Sequence, residues 1–320
     1  MTRYLLRRLP SLALVLVAAS LLIFGVLRLI PGDPATTLAG PDASPATVAA
    51  IRHELGLDQS VPAQYVHWIW NVVTFHLGHS YLIGGSISSL VSSGVANTAL
   101  LAVTALAAAV VIAAVVGPLW ASTSNRWLDH LLTGANTLAV ALPTFVTGVL
   151  LILVFGVLWP VLPTGGTPPA GLLADPGITA QYLLMPALCL ALPIAAVLSR
   201  YLAESLRTEL RQPYVTTALA AGVARRRIVV RHALRNALPT TVTVLGLQVG
   251  TLLGGAVLVE YIFSWPGLGQ LIQQAITRRD YPVVQVLLLL SVVVFVLIQL
   301  LTDVLHAWLD PRIRLEGGTK

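Results

Sequence analysis

Between positions 214 and 239 the chain reads YVTTALAAGVARRRIVVRHALRNALP, and Arg225, Arg226, Arg227, Arg231 and Arg235 all fall inside it. A basic stretch this dense between two long apolar segments offers recognition and not a reaction, and it is the best candidate for the place where the chain meets another protein. Arg227, Arg231 and Arg235 recur at i, i+4 and i+8, with Val230, Ala233, Leu234 and Ala237 on other faces. That spacing predicts a basic amphipathic helix. Upstream, Tyr214 through Ala221 reads as a short helix in which Ala218 and Ala220 leave little bulk, and Gly222 can take the left-handed turn that stops it. A helix that only lies on lipid headgroups needs no such Ala-rich helix before it. Nor does it need His232, Arg235 and Asn236 ahead of Pro239.

The rest of the chain is poor in reactive groups. Lys320 is the only lysine, so a phosphate-binding loop with its Lys beside Ser or Thr is excluded, and any ATP must be bound by a partner. No Ser/His/Asp set or carboxylate pair stands out, which argues against an enzyme. His53, His67, His76 and His79 have no nearby Cys or tight ligand cluster, and no metal site is expected. Cys189, the single cysteine, lies in an apolar run and reads as a packed small hydrophobe.

The elements that must position these residues are membrane spans. Of 320 residues, 56% are hydrophobic and 10% charged, and the mean hydropathy is +0.84, whereas soluble domains carry about 25% charge. The net charge of +6 sits in loops beside apolar runs, which excludes nucleic acid as the partner. Six segments are long enough to span: 9–30, 98–121, 131–159, 182–201, 240–263 and 283–303. The first follows Arg3, Arg7 and Arg8 and lacks a small-residue cleavage site, so it reads as an uncleaved helix. With the N-terminus inside, the inner side receives Arg3, Arg7, Arg8, Arg126, the loop from Arg200 to Arg235, Arg312, Arg314 and Lys320. The outer side receives Arg52, Arg278 and Arg279, with Arg28 near the outer boundary. Basic loops are retained inside, so both termini are expected in the cytoplasm of an all-α, polytopic membrane protein.

Residues 31–95 form an outer segment with its own order. Ser44-Pro45 followed by Val48, Ile51 and Leu55 and ending at Gly56 predicts a capped amphipathic helix. A second begins near Pro62 and carries Tyr65, Trp68, Ile69 and Trp70, which favour a membrane boundary. Within the fifth span, Gly246, Gly250 and Gly254 repeat at four-residue spacing beside Gly255. That face lets a helix approach closely, and by itself means packing; together with Gln248 and Thr251, Gly254 and Gly255 could also line a substrate pathway. Ionisable groups are nearly absent from the spans, Glu260 and Asp303 lying near opposite ends. This weakens the alternative of an ion-coupled carrier or channel, which usually needs such groups deep inside.

Read together, these pieces resemble a known family. The 214–239 element looks like the EAA loop of bacterial ABC importer permeases. The flanking sequence resembles the dipeptide, oligopeptide and nickel branch: RYLLRRLPSL at the start, LIPGDPA at 29–35, LGLDQSVPAQYVHW at 55–68, ALPTF at 141–145 and RHALRNALP at 231–239. VEYIFSWPGLG at 259–269, RDYPVVQ at 279–285 and LDPRIR at 309–314 continue it. The resemblance implies a single type I permease domain over 1–320 and a cytoplasmic coupling loop over 203–239. The partners it implies are a homologous second permease, two cytoplasmic ABC ATPases carrying ATP and Mg, and an extracytoplasmic solute-binding protein. Tyr214, Ala218, Ala220, Gly222, His232, Arg235, Asn236 and Pro239 match the ATPase-coupling pattern; Leu219 and Ala221 depart from it, since relatives often carry basic residues there. Ser264, Trp265, Pro266, Gly267, Leu268 and Gly269 match the outer turn that meets the binding protein, although their own chemistry asks only for a Pro-Gly reversal. Peptides are the leading substrate class, with nickel chelates, glutathione and haem open within the branch.

Overall fold

The computed structural model describes residues 2–29, 33–40, 42–54, 56–172 and 174–309. Residues 30–32 of LIPGDPA, Leu55, Arg312, Arg314 and Lys320 lie outside them, as does LDPRIR beyond its first residue. In chain order come α1 (Thr2–Leu29), α2 (Pro34–Ala39), α3 (Pro45–Glu54), α4 (Val61–Val73), α5 (Ile87–Ser122), α6 (Arg126–Ala141) and α7 (Thr144–Leu151), the last extended by a π-helical turn, Ile152–Leu158. Then follow α8 (Pro176–Leu210), α9 (Pro213–Ala220) and the single turn α10 (Arg225–Arg227). A π-helical stretch, Ile228–Ala233, leads from α10 into α11 (Leu234–Ile262), and α12 (Leu268–Arg278) and α13 (Tyr281–Leu309) complete the order. Five helices are long and apolar enough to cross a membrane, and α6 with α7 makes a sixth when the bent pair is taken as one span.

The span expected over 131–159 falls on that pair, whose two halves meet at 107°. The cause is local. Leu142 precedes proline and is driven into the extended region, with ψ 124°, and Pro143 has no N–H with which to continue the helix.

Packing divides the chain into two units, one of residues 1–97 with 266–297, the other of 98–265 with 298–320. In the second unit α8 is the central helix, since 67% of its apolar window is buried against 33% or less for the other four single-helix spans. Lipid tails are as apolar as leucine, so helices here associate by close packing, which small residues permit. On α5, Leu101, Ala105, Ala109 and Ala113 recur every four residues and none is more than 3% exposed. Gly117 extends the stripe: a Cβ there would stand 2.8 Å from the Leu202 side chain of α8. On α8, Ala187, Ala191 and Ala195 answer with equally small buried surfaces. Cys189 is buried beside them, its Sγ 3.2 Å from the Thr144 carbonyl. Asn136 Nδ2 donates to the Ala196 carbonyl at 2.6 Å and fixes α6 on α8.

The loop after α7 lies on backbone. Gly166 N donates to the Phe263 carbonyl at 2.8 Å, and a Cβ on Gly165 would sit 2.5 Å from that same oxygen. Gly165→Ala is therefore expected to lower stability by about 1–3 kcal/mol, the usual cost of overpacking, read as an earlier thermal midpoint in detergent. Gly134→Ala, which meets nothing within 4 Å, serves as the control and should be neutral or slightly stabilising.

In the first unit the short helices α3 and α4 form as the sequence predicts. Ser44 Oγ accepts from Thr47 N at 3.1 Å and caps α3; Gly56, at φ +65°, turns the chain out of it. The aromatic residues of α4 divide their work. Tyr65 and Trp68 pack on Phe24 of α1 with ring centroids 5.3 and 5.9 Å away, and Tyr65 shares a 2.7 Å hydrogen bond with Ser20. Trp70 stays 67% exposed. The loop before α5 is held by Asp280, which is fully buried. One of its oxygens, Oδ2, accepts from Ser80 Oγ at 2.6 Å, Leu82 N at 3.0 Å and Ile83 N at 3.3 Å. Arg278 Nη1 adds a bond to the Leu82 carbonyl. Burial first, then the hydrogen bond to Glu54 and the charges of Glu54 and Asp280, push the Tyr81 phenol up to about 12.

Candidate functional site

The basic loop is built on the end of α8. Leu202 and Leu206 at that end pack against Ala233 and Ala237 on the returning arm of the loop, all four buried. Beside them, Arg207 is fixed: its Nη2 donates to Asp129 Oδ1 at 2.8 Å and to the Trp120 carbonyl at 3.2 Å. Trp120 Nε1 donates to the same carboxylate oxygen at 2.9 Å. Asp129 lies in the first turn of α6, where a negative charge also suits the helix dipole. Three helix ends are thus joined through one carboxylate.

Pro213 opens α9, its missing N–H costing nothing at a helix start. Val215 turns inward and is buried, while Thr216, Thr217, Leu219 and Ala220 face out and Ala218 is half-buried. The helix closes by paired bonds, Val223 N to the Ala218 carbonyl and Gly222 N to the Leu219 carbonyl, each 3.0 Å. This closing turn requires a left-handed residue, and Gly222 supplies it at φ +80° with nothing within 4 Å of where a Cβ would be. The rim from Leu219 to Gly222 is exposed and, apart from Leu219, has almost no side-chain relief.

The return strand of the loop is not a separate amphipathic helix. Arg225 begins a continuous helical run to Ile262 whose second turn is π-helical. The wider turn brings the adjacent residues Ile228 and Val229, and then Ala233, to the buried side. Arg225, Arg226, Arg227, Arg231 and Arg235 remain exposed, and no ion pair engages them among the described residues. Val230 is 57% exposed, beside the arginines and away from the core. Pro239 lies inside α11 and does not begin it.

Of the eight residues matched to the coupling pattern, Tyr214 and Asn236 meet at one point. Tyr214 Oη and Asn236 Nδ2 both donate to Glu209 Oε2, at 2.9 and 3.3 Å. Desolvation, then the bond to that carboxylate, raises the Tyr214 phenol above its ordinary value. His232, Arg235 and Pro239 sit exposed on the return run, and Ala220 and Gly222 on the rim. Glu209, which joins the two arms, is missed by sequence reasoning: it stands 27 residues from Asn236, and no local pattern links them.

The proposed pathway residues differ in exposure along α11. Gly255 turns to α8, where a Cβ would meet Leu190 at 3.3 Å. Thr251 and Gly254 are exposed, Gln248 is half-buried, and Gly250 and Gly254 have nothing within 4 Å. Glu260 is fully buried and accepts from Thr98 Oγ1 at 2.6 Å, an ordinary interhelical bond. The 264–269 turn presents less than six residues suggest. Ser264, at φ +49°, reverses the chain so that Trp265 N reaches the Glu260 carbonyl at 2.8 Å. The indole of Trp265 is then fully buried in the core of the second unit. Gly267 and Gly269 are buried and Leu268 is half-buried; Ser264 and Pro266 remain exposed. No group of three or more His, Cys, Asp or Glu is gathered for a metal among the described residues.

Comparison with known proteins agrees with this architecture. Residues 109–315 match the family described as binding-protein-dependent transport system inner membrane component, and residues 1–88 match its N-terminal companion. The glutathione transport system permease protein GsiC of Escherichia coli K12 is 38% identical over 314 residues, covering 98% of this chain and 99% of that protein. GsiC of Salmonella typhimurium gives the same figures. A solved structure of the MetNI methionine ABC transporter in an inward-facing conformation matches with a TM-score of 0.52 and 19% identity, over 69% of this chain and 96% of that one. At that identity the likeness concerns the fold. With its spans, its loop geometry and near-complete alignment to these relatives, the chain belongs to the family of binding-protein-dependent transport system inner membrane components.

Proposed function

We propose that the chain is the first of two homologous permease subunits in an ABC importer that carries dipeptides, oligopeptides or peptide-like solutes such as glutathione. Both termini face the cytoplasm. Residues 1–320 form one permease domain, 31–95 its outer segment and 203–239 its coupling loop. Two cytoplasmic ABC ATPases supply ATP and Mg, and an extracytoplasmic solute-binding protein delivers the substrate to the exposed residues of the 264–269 turn.

The observation that carries this reading is the loop itself: a rim of small residues closed by Gly222, projecting from a base that Val215, Ile228, Val229 and Ala233 bury and that Glu209 pins. A groove on an ATPase can accept such a rim as a rigid body. Closure of the ATPase pair then moves α8 and α11, because the loop is packed on both. For ATP to drive transport it must bind the closed-ATPase state more tightly than the open one; the loop transmits that preference. The peptide class is supported by the identity to the glutathione permeases across the chain, and the second permease by the open face at Gly250 and Gly254.

The test is uptake by proteoliposomes holding the complex that copurifies with this chain. ATP-dependent accumulation of a labelled peptide in the presence of the binding protein is expected. Uptake by this chain alone, driven by an ion gradient and indifferent to ATP, would overturn the reading.

A further inference from the structure

A cleft of about 660 Å³ opens in the first unit, within the ~300–1,000 Å³ usual for small-molecule sites. Its walls come from the end of α1, the outer helices and the start of α13. Cationic and imidazole groups outnumber carboxylates there: Arg28, Arg52, His67, His76 and His79 against Asp33 and Glu54. Both acids are already engaged. Asp33 is paired with Arg52 at 2.5 Å, and Glu54 lies near enough to the Tyr81 phenol to help raise it.

Arg28 is different. Its guanidinium carbon stands 4.5 Å from the centre of the Phe24 ring, and its Nη2 donates to Gln64 Oε1. No carboxylate pairs with it among the described residues. Gln64 is 8% exposed and cannot turn freely, because its Nε2 donates to the Gln59 carbonyl at 2.7 Å and the Leu57 carbonyl at 3.3 Å. The amide therefore presents its oxygen to Arg28 and holds the guanidinium in one orientation. One of five donors is used, and those left form the planar fork that suits a carboxylate. Phe24 and Trp68 add aromatic surface beside it, which suits the body of a short peptide.

We propose that this cleft binds the carboxylate of a short peptide, with Arg28 as its anchor, as a solute site on the permease separate from the binding protein. The inference rests on the peptide-importer reading and adds a site to it.

The test is equilibrium binding of labelled trialanine to the full chain with its copurifying subunits, in phosphatidylcholine nanodiscs without binding protein. Saturable binding at millimolar concentration is expected, weakened about ten-fold when the C-terminal carboxylate is replaced by an amide and about ten-fold by Arg28→Gln, the usual scale for losing a charged hydrogen-bond partner. Arg226→Gln should leave it unchanged. The amidated peptide probes the anchor in the unaltered protein, so a poorly folded Arg28→Gln variant does not decide the matter. Equal binding of trialanine and its amide, or no saturable binding, overturns the proposal. So does loss of trialanine binding when phosphatidylglycerol is added to the nanodiscs, since the cleft is then a lipid-phosphate site. ATP-dependent uptake with the binding protein is measured in parallel on the same preparation. Uptake without cleft binding sinks this inference alone, and absence of peptide uptake sinks the importer reading.

Discussion

Gly222→Arg is expected to abolish peptide accumulation while the subunit still inserts, folds and is recovered from the membrane. The backbone cost is modest: a non-glycine residue at φ +80° loses on the order of 1 kcal/mol, and open space receives the side chain. The docking cost is large, because a long cation would rise from a rim otherwise lined by Ala220, Ala221 and Gly222. ATP hydrolysis by the assembled complex should persist and lose its response to the loaded binding protein. Gly222→Asn is the informative companion, since asparagine tolerates the left-handed region and adds little bulk; it should retain most transport. Full transport by Gly222→Arg would remove the docking role from this rim.

The second large effect is expected at Trp265. A fully buried indole cut back to alanine leaves a cavity and costs about 3–5 kcal/mol, so Trp265→Ala should unfold early in detergent and be poorly recovered. Its exposed neighbour should behave otherwise. Ser264→Cys is expected to keep wild-type stability and to label with a maleimide, because Cys189, the other thiol, is buried. Crosslinking of the binding protein through position 264 then tests the proposed surface contact without disturbing the core. Wild-type stability in Trp265→Ala would show that the indole does not hold the turn.

Much of the membrane architecture was legible because hydropathy and length act directly: a run of about 20 apolar residues has few alternatives. The capping of α3 by Ser44 and the left-handed stop at Gly222 were legible for a similar reason, each being decided within a few residues. Leu142-Pro143 was printed in the sequence as ALPTF, yet a long apolar window averaged across the proline and hid a right-angled turn. The join at Glu209 was hidden for another reason. A carboxylate meeting a tyrosine five residues on and an asparagine 27 residues on depends on how two helices cross, which no local spacing records. Trp265 shows the reverse error: a tryptophan in a Pro-Gly turn looks like a surface contact, but the positive φ of Ser264 tucks it inward.

The corner between α6 and α7 also says where acyl chains cannot be. Pro143 brings no N–H to the carbonyl four residues before it, and the turned backbone interrupts the internal pairing that lets a helix stand in hydrocarbon. Acyl chains cannot solvate that oxygen. Protein, water or a lipid headgroup has to meet it, so this corner is not expected to stand bare against acyl chains.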